Sequence, residues 1–190
     1  MNLDRLQHWI DQGRLSSSPE NPITARQLFL SGCVHDVHDG IKLLGNVSRT
    51  PLPSCLSDPK NQGADYFKTP IYIVASRASK SAIKAIEKSN GTVICKYHNP
   101  LSLRDCVNGR TDRTSAAPTR REDISRSFSL HCNIIDLITI VVWYGKHHNR
   151  GYLSSKTLDT VGNMPFVEDR WRLLSKQLGL WKKQEFDVRK

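Results

Sequence analysis

Cysteine pairs, glycine-rich loops and long apolar runs are scarce in this sequence, and each shortage removes a class of function. The five cysteines, Cys33, Cys55, Cys95, Cys106 and Cys132, are odd in number and never spaced as C-x-x-C. Neither a disulfide framework nor a zinc ribbon is indicated, and a reducing compartment fits. Cys33, His35 and His38 bring metal-ligand types together, but Asp36 and Asp39 can satisfy the imidazoles and no fourth ligand has a fixed spacing, so no metal is expected. Cys95, His98 and Asp105 lie near one another in sequence and form the one enzymatic reading to weigh, a thiol nucleophile with a base. Cys95 falls inside an expected buried strand, and no oxyanion loop, phosphate loop or paired-carboxylate motif accompanies it, so no catalytic residue or cofactor is expected. The most apolar stretch, Asn133 to Tyr144, holds Asp136 and is shorter than the roughly 20 residues of a membrane span. The opening MNLDRLQHWIDQGR carries two acids and no apolar run, unlike a signal peptide or an Arg- and Ser-rich transit peptide.

Positive charge is abundant and unevenly placed. Of the 190 residues, 28 are Lys or Arg against 18 Asp or Glu, a net charge of +10. Residues 1–70 balance seven of each sign, whereas residues 71–190 carry twenty-one cations against eleven acids. A one-sided excess of this kind is the footprint of a polyanion partner, because each neutralised phosphate releases condensed counterions. A solvated, solubilising surface is the plainer alternative.

Periodicity places the elements. Leu3, Leu6 and Ile10 predict a short amphipathic helix with Asn2 as N-cap and Gly13 as stop. Thr24-Ala25-Arg26-Gln27 is a capping box, with Ile23 stapling onto Leu28 and Gly32 ending the helix. Ile41 to Leu44 reads as a short strand, and Asn46 to Thr69, rich in Pro, Ser, Asn and Asp, as a surface insertion. Ile71 to Ala75 is a continuous apolar run, the signature of a strand covered on both faces. A helix follows from its N-cap Ser79 to Asn90-Gly91, and Thr92 to Tyr97 returns as a strand, so a right-handed crossover with parallel strands is the default.

The crossover helix is the most informative local feature. Ala82, Ile83 and Ile86 supply its core stripe, while Arg77, Lys80, Lys84 and Lys88 line up at spacings of three, four and four. Like charges so placed cost roughly 0.2–0.5 kcal/mol per pair in an isolated helix, and only Glu87 stands near enough to offset them. A phosphate backbone would remove that cost. From Arg104 to Arg121 the chain has charge, Gly, Ser and Thr but almost no apolar periodicity, and reads as an extended basic strap. The tail recovers a helix with Pro165 at its first position and one apolar stripe of Val167, Trp171, Leu174, Leu178 and Trp181.

The order of these blocks is familiar. Gly40-Ile41-Lys42-Leu43-Leu44-Gly45, then after an insertion Pro70 to Lys88 (PIYIVASRASKSAIKAIEK) and Gly91-Thr92-Val93, resembles the carboxyl-terminal domain of the universal large-subunit ribosomal protein fifteen family. That family shows a "GVKLLG" strand, a strand ending in "S-x-A-S-x-x-A", an "A-I-E" helix and a "G-G-x-V" return; here Asn90-Gly91 stands for the glycine pair. The match covers roughly residues 24–110. Asn2 to Arg14, Asn99 to Arg104, Ala117 to Ile124, Asn149 to Leu153 (NRGYL) and Lys182 to Val188 are similar to the fungal mitochondrial branch. The resemblance implies a structural constituent of the mitochondrial large ribosomal subunit in the matrix, bound to large-subunit ribosomal RNA and to neighbouring ribosomal proteins, with no catalytic residue.

Two departures accompany it. The family's first part, a glycine-rich basic arm, does not occur in this sequence, and the targeting presequence would lie in the same place, so an N-terminally truncated member is expected. Relatives pass from the "APTRREDI" segment almost directly into "WY" and "NRGYL", whereas Ser125 to Val142 intervenes here. With its β-branched apolar run it reads as translated intron, with an added edge strand as the alternative.

The expected architecture is an α/β domain of this family over residues 1–110, an extended basic strap over 111–164 with its atypical insert at 125–142, and a C-terminal amphipathic helix and tail over 165–190 that packs on a neighbour. RNA contacts are expected from Lys42, Arg77, Lys80, Lys84, Lys88, Arg104, Arg110, Arg113, Arg120 and Arg121, acting by phosphate neutralisation rather than base readout. An RNA-binding accessory or assembly factor, and more remotely a small α/β enzyme, are the competing functions.

Overall fold

A computed structural model describes residues 1–45, 67–110, 140–162 and 164–188, with side chains as far as residue 180. The periodic segments form where expected. Helix α1 spans Leu3–Asp11, with Asn2 at the N-cap position but no bond from its side chain. Helix α2 spans Ala25–Leu30, and the Gln27 side-chain oxygen accepts the Thr24 backbone N–H at 3.0 Å, one half of the capping box. Strand β1 is Lys42–Leu43, β2 Tyr72–Ala75 and β3 Arg77–Ala78. Helix α3 spans Lys80–Lys88, with the Ser79 hydroxyl accepting the Ala82 N–H at 3.2 Å and Asn90 left-handed at φ +60° beyond its end. Strand β4, Thr92–Cys95, completes the crossover.

β2 and β4 are parallel, pairing Tyr72 with Thr92 through to Ala75 with Cys95. Single bridges widen the pair on both sides, from Ile23 to Ile73 and from Gly151 to Cys95. A second parallel pair sets Lys42 beside Arg77 and Leu43 beside Ala78, and Asn2 bridges to Leu44 at its edge. β2 is not covered equally on both faces: Ile71, Ile73 and Ala75 are buried, while Tyr72 and Val74 are half-buried.

The residues after Pro100 depart from the expected strap. Helix α4 spans Pro100–Asn108 and contains Arg104. The Asn99 side-chain oxygen accepts the Ser102 N–H at 2.7 Å, Pro100 pre-sets the first turn, and left-handed Gly109 at φ +78° closes the helix. These start and stop signals outweigh the weak apolar periodicity that makes the segment look extended.

Residues 140–162 are not an extended strap either. A helical turn at 140–144, a 3₁₀ turn at His147–Asn149 and helix α5, Ser155–Val161, follow one another. Val141, Tyr144, Tyr152, Leu153, Leu158 and Val161 enter the same core as the α/β elements. Most of the insertion at 46–69, residues 111–139 of the strap and most of the 125–142 segment lie outside the described residues.

Helix α6 spans Asp169–Val188 and begins later than Pro165 predicts. The Val167 N–H donates to the Met164 carbonyl at 3.0 Å, so Pro165 occupies the second position of a turn, where its fixed φ is equally suited. Val167, Trp171, Leu174 and Leu178 are buried within the chain's own core, while Leu173 and Leu180 of the same helix are exposed. The side chain of Trp181 lies outside the described residues.

Three glycines of the "GVKLLG" and "G-x-V" blocks and of NRGYL owe their identity to close approach. A Cβ on Gly45 would lie 2.5 Å from the Ala82 backbone nitrogen at the start of α3, and one on Gly91 2.6 Å from the Ile71 carbonyl oxygen. On Gly151 the intruding atom would meet the Tyr144 carbonyl oxygen at 1.9 Å, well inside any tolerable contact.

Candidate nucleic-acid interface

The crossover helix separates its faces cleanly. Ala82, Ile83, Ala85 and Ile86 are buried, which turns Lys80, Lys84 and Lys88 outward, all exposed. At 1.5 Å per residue the row extends roughly 12 Å along the helix. Neither Lys80 nor Lys84 has a carboxylate within ion-pair distance among the described residues. Ahead of the row, Lys42 and Arg77 are cross-strand partners on β1 and β3 and are also exposed. Five of the predicted cations are therefore brought to adjoining elements at one edge.

The remaining cations are placed otherwise. Arg104 and Arg110 are exposed on and just beyond α4, which packs against α2, so they belong to a different part of the surface. Arg104 there borders a concavity with Phe29, His38 and Leu103. Arg113, Arg120 and Arg121 lie outside the described residues.

Glu87, the one acid of α3, does not offset the lysines in the way the helix alone suggests. Arg150 grips it in a bidentate pair, Nε donating to Oε1 and Nη2 to Oε2, the latter at 3.0 Å. Nη1 of the same guanidinium donates to the His147 carbonyl at 2.9 Å and meets the His147 ring at 2.8 Å, while the other ring nitrogen lies 3.2 Å from the Thr157 hydroxyl. Burial and the Arg150 charge lower the His147 pKa, which keeps the ring neutral and able to accept from Arg150. With its carboxylate already matched, Glu87 leaves the positive charge of Lys80 and Lys84 in place.

Aromatic side chains tie this edge to the C-terminal half. Arg77 lies over the Trp143 ring at 5.3 Å. Tyr144 meets Trp143, Tyr97 and Tyr152 edge-on at 4.6, 5.9 and 5.8 Å, and Tyr152 meets Trp171 at 5.7 Å. Buried Lys96, at the end of β4, pairs with Glu168 at 2.8 Å and sits 4.9 Å over the Trp171 ring, fastening the approach to α6. Arg150 and this aromatic set escape a reading of single segments, although the "WY" and NRGYL blocks that carry them are visible in the sequence.

The alternative chemistries find little support. Cys95 is fully buried in β4, and burial pushes its thiol up to about 12, far from an ionised nucleophile. Burial, followed by the Lys96 charge, takes His98 down to about 4, and its Nδ1 is engaged with the Ser102 hydroxyl at 3.1 Å. Cys33 is buried with its sulfur 3.5 Å from that of Met1, whereas His35 and His38 are both exposed. Among the described residues no group of three or more His, Cys, Asp or Glu side chains is arranged to hold a metal ion, and no helix is long and apolar enough to cross a membrane.

These features define a class, a small parallel α/β module whose crossover helix carries an exposed lysine row and whose C-terminal segments close one edge of the sheet. Residues 1–94 match the family that unites ribosomal proteins 50S-L15 and 50S-L18e with their 60S counterpart, so this first part of the chain carries that family's domain. The chain is similar to the large ribosomal subunit protein uL15m of Neurospora crassa, with 36% identity over 115 residues, covering 60% of this chain and 31% of that protein. It is also similar to uL15m of Schizosaccharomyces pombe, 31% identical over 118 residues, which are 62% of this chain and 39% of the relative. Bacterial uL15 of Methylobacterium nodulans is 32% identical over 93 residues, 49% of this chain and 45% of that protein. The chain thus spans between about a third and a half of the length of these relatives.

Proposed function

We propose that this chain is a structural constituent of the mitochondrial large ribosomal subunit, binding large-subunit ribosomal RNA through its basic edge and touching neighbouring ribosomal proteins elsewhere. The observation that carries this reading is the family match through residues 1–94 together with the similarity to two fungal proteins named as mitochondrial large-subunit members. In this reading Lys42, Arg77, Lys80, Lys84 and Lys88 neutralise phosphates along one side of the module. Arg104 and Arg110 make a second contact, and Arg113, Arg120 and Arg121 continue it along the chain. Phosphate contacts of this sort fix position without reading sequence. The protein works by holding RNA, not by transforming a substrate, and its place of work is the mitochondrial matrix.

Sedimentation of a tagged chain from fungal mitochondria in high-salt sucrose gradients tests the proposal. A ribosome constituent stays with the large subunit as salt rises, because many contacts are buried together. Release at moderate salt identifies an accessory factor, whose phosphate contacts weaken steeply with ionic strength. Absence from mitochondria refutes the assignment.

A further inference from the structure

The Lys42–Arg77 pair differs from the lysine row of α3 in being set beside a concavity. A groove of about 330 Å³ is bordered by Asp39, Lys42, Ser76, Arg77, Tyr97 and His98, and Tyr144 also lines it. Its walls are preorganised. The Arg77 guanidinium is held against the Trp143 ring, Tyr97 stands edge-on to Tyr144 at 5.9 Å, and the Tyr144 hydroxyl donates to the Ser76 carbonyl at 2.7 Å. Lys42 and Arg77 are direct partners on neighbouring strands, which lie about 4.8 Å apart, so two exposed cations share one small region. Among the described residues that border the groove, Asp39 is the one acid.

A continuous RNA duplex does not suit such a groove. Its phosphates run along the outside and its bases are stacked within, so the concave, aromatic part would stay empty. An unpaired nucleotide presents both halves of the needed chemistry, a phosphate for two cations and a flat base for an aromatic ring and a guanidinium plane. We propose that this groove seats one unpaired nucleotide of the bound RNA, its phosphate between Lys42 and Arg77 and its base against Tyr97 and the Arg77 guanidinium. Asp39 then faces the base edge, where a carboxylate accepts from an exocyclic amino group, and discourages a second phosphate. This inference rests on the RNA-binding reading above and adds the kind of RNA element that the edge prefers.

Two RNA hairpins test it on the full chain, one with a single bulged purine and one otherwise identical without the bulge. The bulged hairpin should bind at least about fivefold tighter, the lower end of what one base–aromatic stack provides. Arg77→Lys keeps the charge but loses the planar stacking surface, and Tyr97→Leu keeps apolar bulk without the ring. Tyr97→Leu should bring the preference close to one while leaving affinity for the bulge-free hairpin and its salt slope unchanged, whereas Arg77→Lys should weaken the bulged hairpin by a clearly larger factor than the bulge-free one. A 2-aminopurine at the bulge should lose fluorescence on binding the unaltered chain, a readout that needs no variant. Equal binding of the two hairpins, equal losses for both in the variants, or unchanged 2-aminopurine emission overturns the groove assignment while leaving RNA binding intact. Competition by adenosine monophosphate as effective as by the bulged hairpin assigns the groove to free nucleotides instead. Failure to bind either hairpin refutes the proposed function itself.

Discussion

The Glu87–Arg150 pair gives the sharpest test of why the lysine row is basic, because removing its two halves should have opposite effects on RNA binding and effects of one sign on folding. Arg150→Gln leaves the Glu87 carboxylate unmatched on α3, three residues after Lys84 and next to Lys88, and lowers the charge of that edge by one. Glu87→Gln leaves the guanidinium unmatched and raises it by one. The side chains are 20% and 37% exposed for Arg150 and Glu87. Glu87→Gln should therefore cost only about 0.5–1 kcal/mol of stability, the upper part of the range for solvent-screened pairs with good geometry, and Arg150→Gln more, because its guanidinium also bonds His147. One unit charge about 10 Å from a phosphate is worth roughly 0.4 kcal/mol in a water-like dielectric. Summed over the few phosphates within a Debye length, this amounts to roughly a two- to fivefold change in Kd, with the log–log salt slope moving by up to about 0.9. Fluorescence anisotropy with a large-subunit RNA fragment between about 50 and 200 mM salt, alongside urea unfolding of each variant, supplies both readouts. Arg150→Gln should weaken and Glu87→Gln strengthen RNA binding, and the double Gln variant should return close to the starting affinity. If both single variants shift RNA affinity in one direction, the effect is structural and the electrostatic reasoning is wrong.

Replacing Lys80, Lys84 and Lys88 together by Gln should lower the salt slope by up to roughly 0.9 per lost phosphate contact, with the circular dichroism spectrum unchanged, since the three are exposed opposite Ile83 and Ile86. An unaltered slope would assign the row to solvent. Trp171→Ala should cost roughly 3–5 kcal/mol in urea unfolding, because it empties a site 2% exposed between Tyr152 and Lys96; a loss below about 1 kcal/mol would mean that α6 is held by something else. Acidification should destabilise the fold: His98 falls to about 4 in the folded state, so the unfolded chain binds that proton first, and stability present above pH 6.5 is lost as pH falls from about 6.5 towards 4. His147 adds in the same sense, and His98→Asn should flatten most of the decline. Deleting residues 125–139 should leave the thermal midpoint above that of a chain lacking residues 125–142, which also loses buried Val141 and the turn that carries Tyr144; equal midpoints would show that Val141 contributes nothing.

Local periodicity and caps make the crossover legible. The Ser79 cap, the Ile83–Ile86 stripe and the left-handed Asn90 state the helix and its end in adjacent residues, and a strand on either side leaves few other topologies. The same kinds of signal stand at Asn99-Pro100 and Gly109, yet α4 is hidden because Arg104 and Asp105 interrupt its apolar pattern, while burial of Ser102 and Asp105 depends on α2, far earlier in the chain. Five of the predicted basic residues share one edge because β3 leads directly into α3. What brings Arg150 to Glu87, 63 residues earlier, is the docking of Gly151 on β4, which no window of sequence contains.

That docking also explains why the NRGYL block must be spelled as it is. Asn149 donates its side-chain amide to the Trp143 carbonyl at 3.0 Å, which fixes the turn after the helical stretch. Arg150, left-handed at φ +52°, directs its guanidinium to Glu87 while its carbonyl accepts the Cys95 N–H at 2.8 Å. Gly151 admits the Tyr144 backbone where any side chain would collide, and Tyr152 and Leu153 fill the core beyond it. The expected joint between foreign and family-like sequence, at Val142 and Trp143, falls inside the helical turn at 140–144, where the Gly145 N–H donates to the Val141 carbonyl at 2.9 Å and Val141 is buried. Whatever the origin of the residues before it, the last turn of that segment serves the fold by carrying Trp143 under Arg77 and Tyr144 to Ser76. The C-terminal half therefore sets the electrostatics of the basic edge from a distance: it neutralises the only acid of α3 and holds Arg77 in place, so that the charge this edge presents is a property of the finished tertiary fold and not of the helix alone.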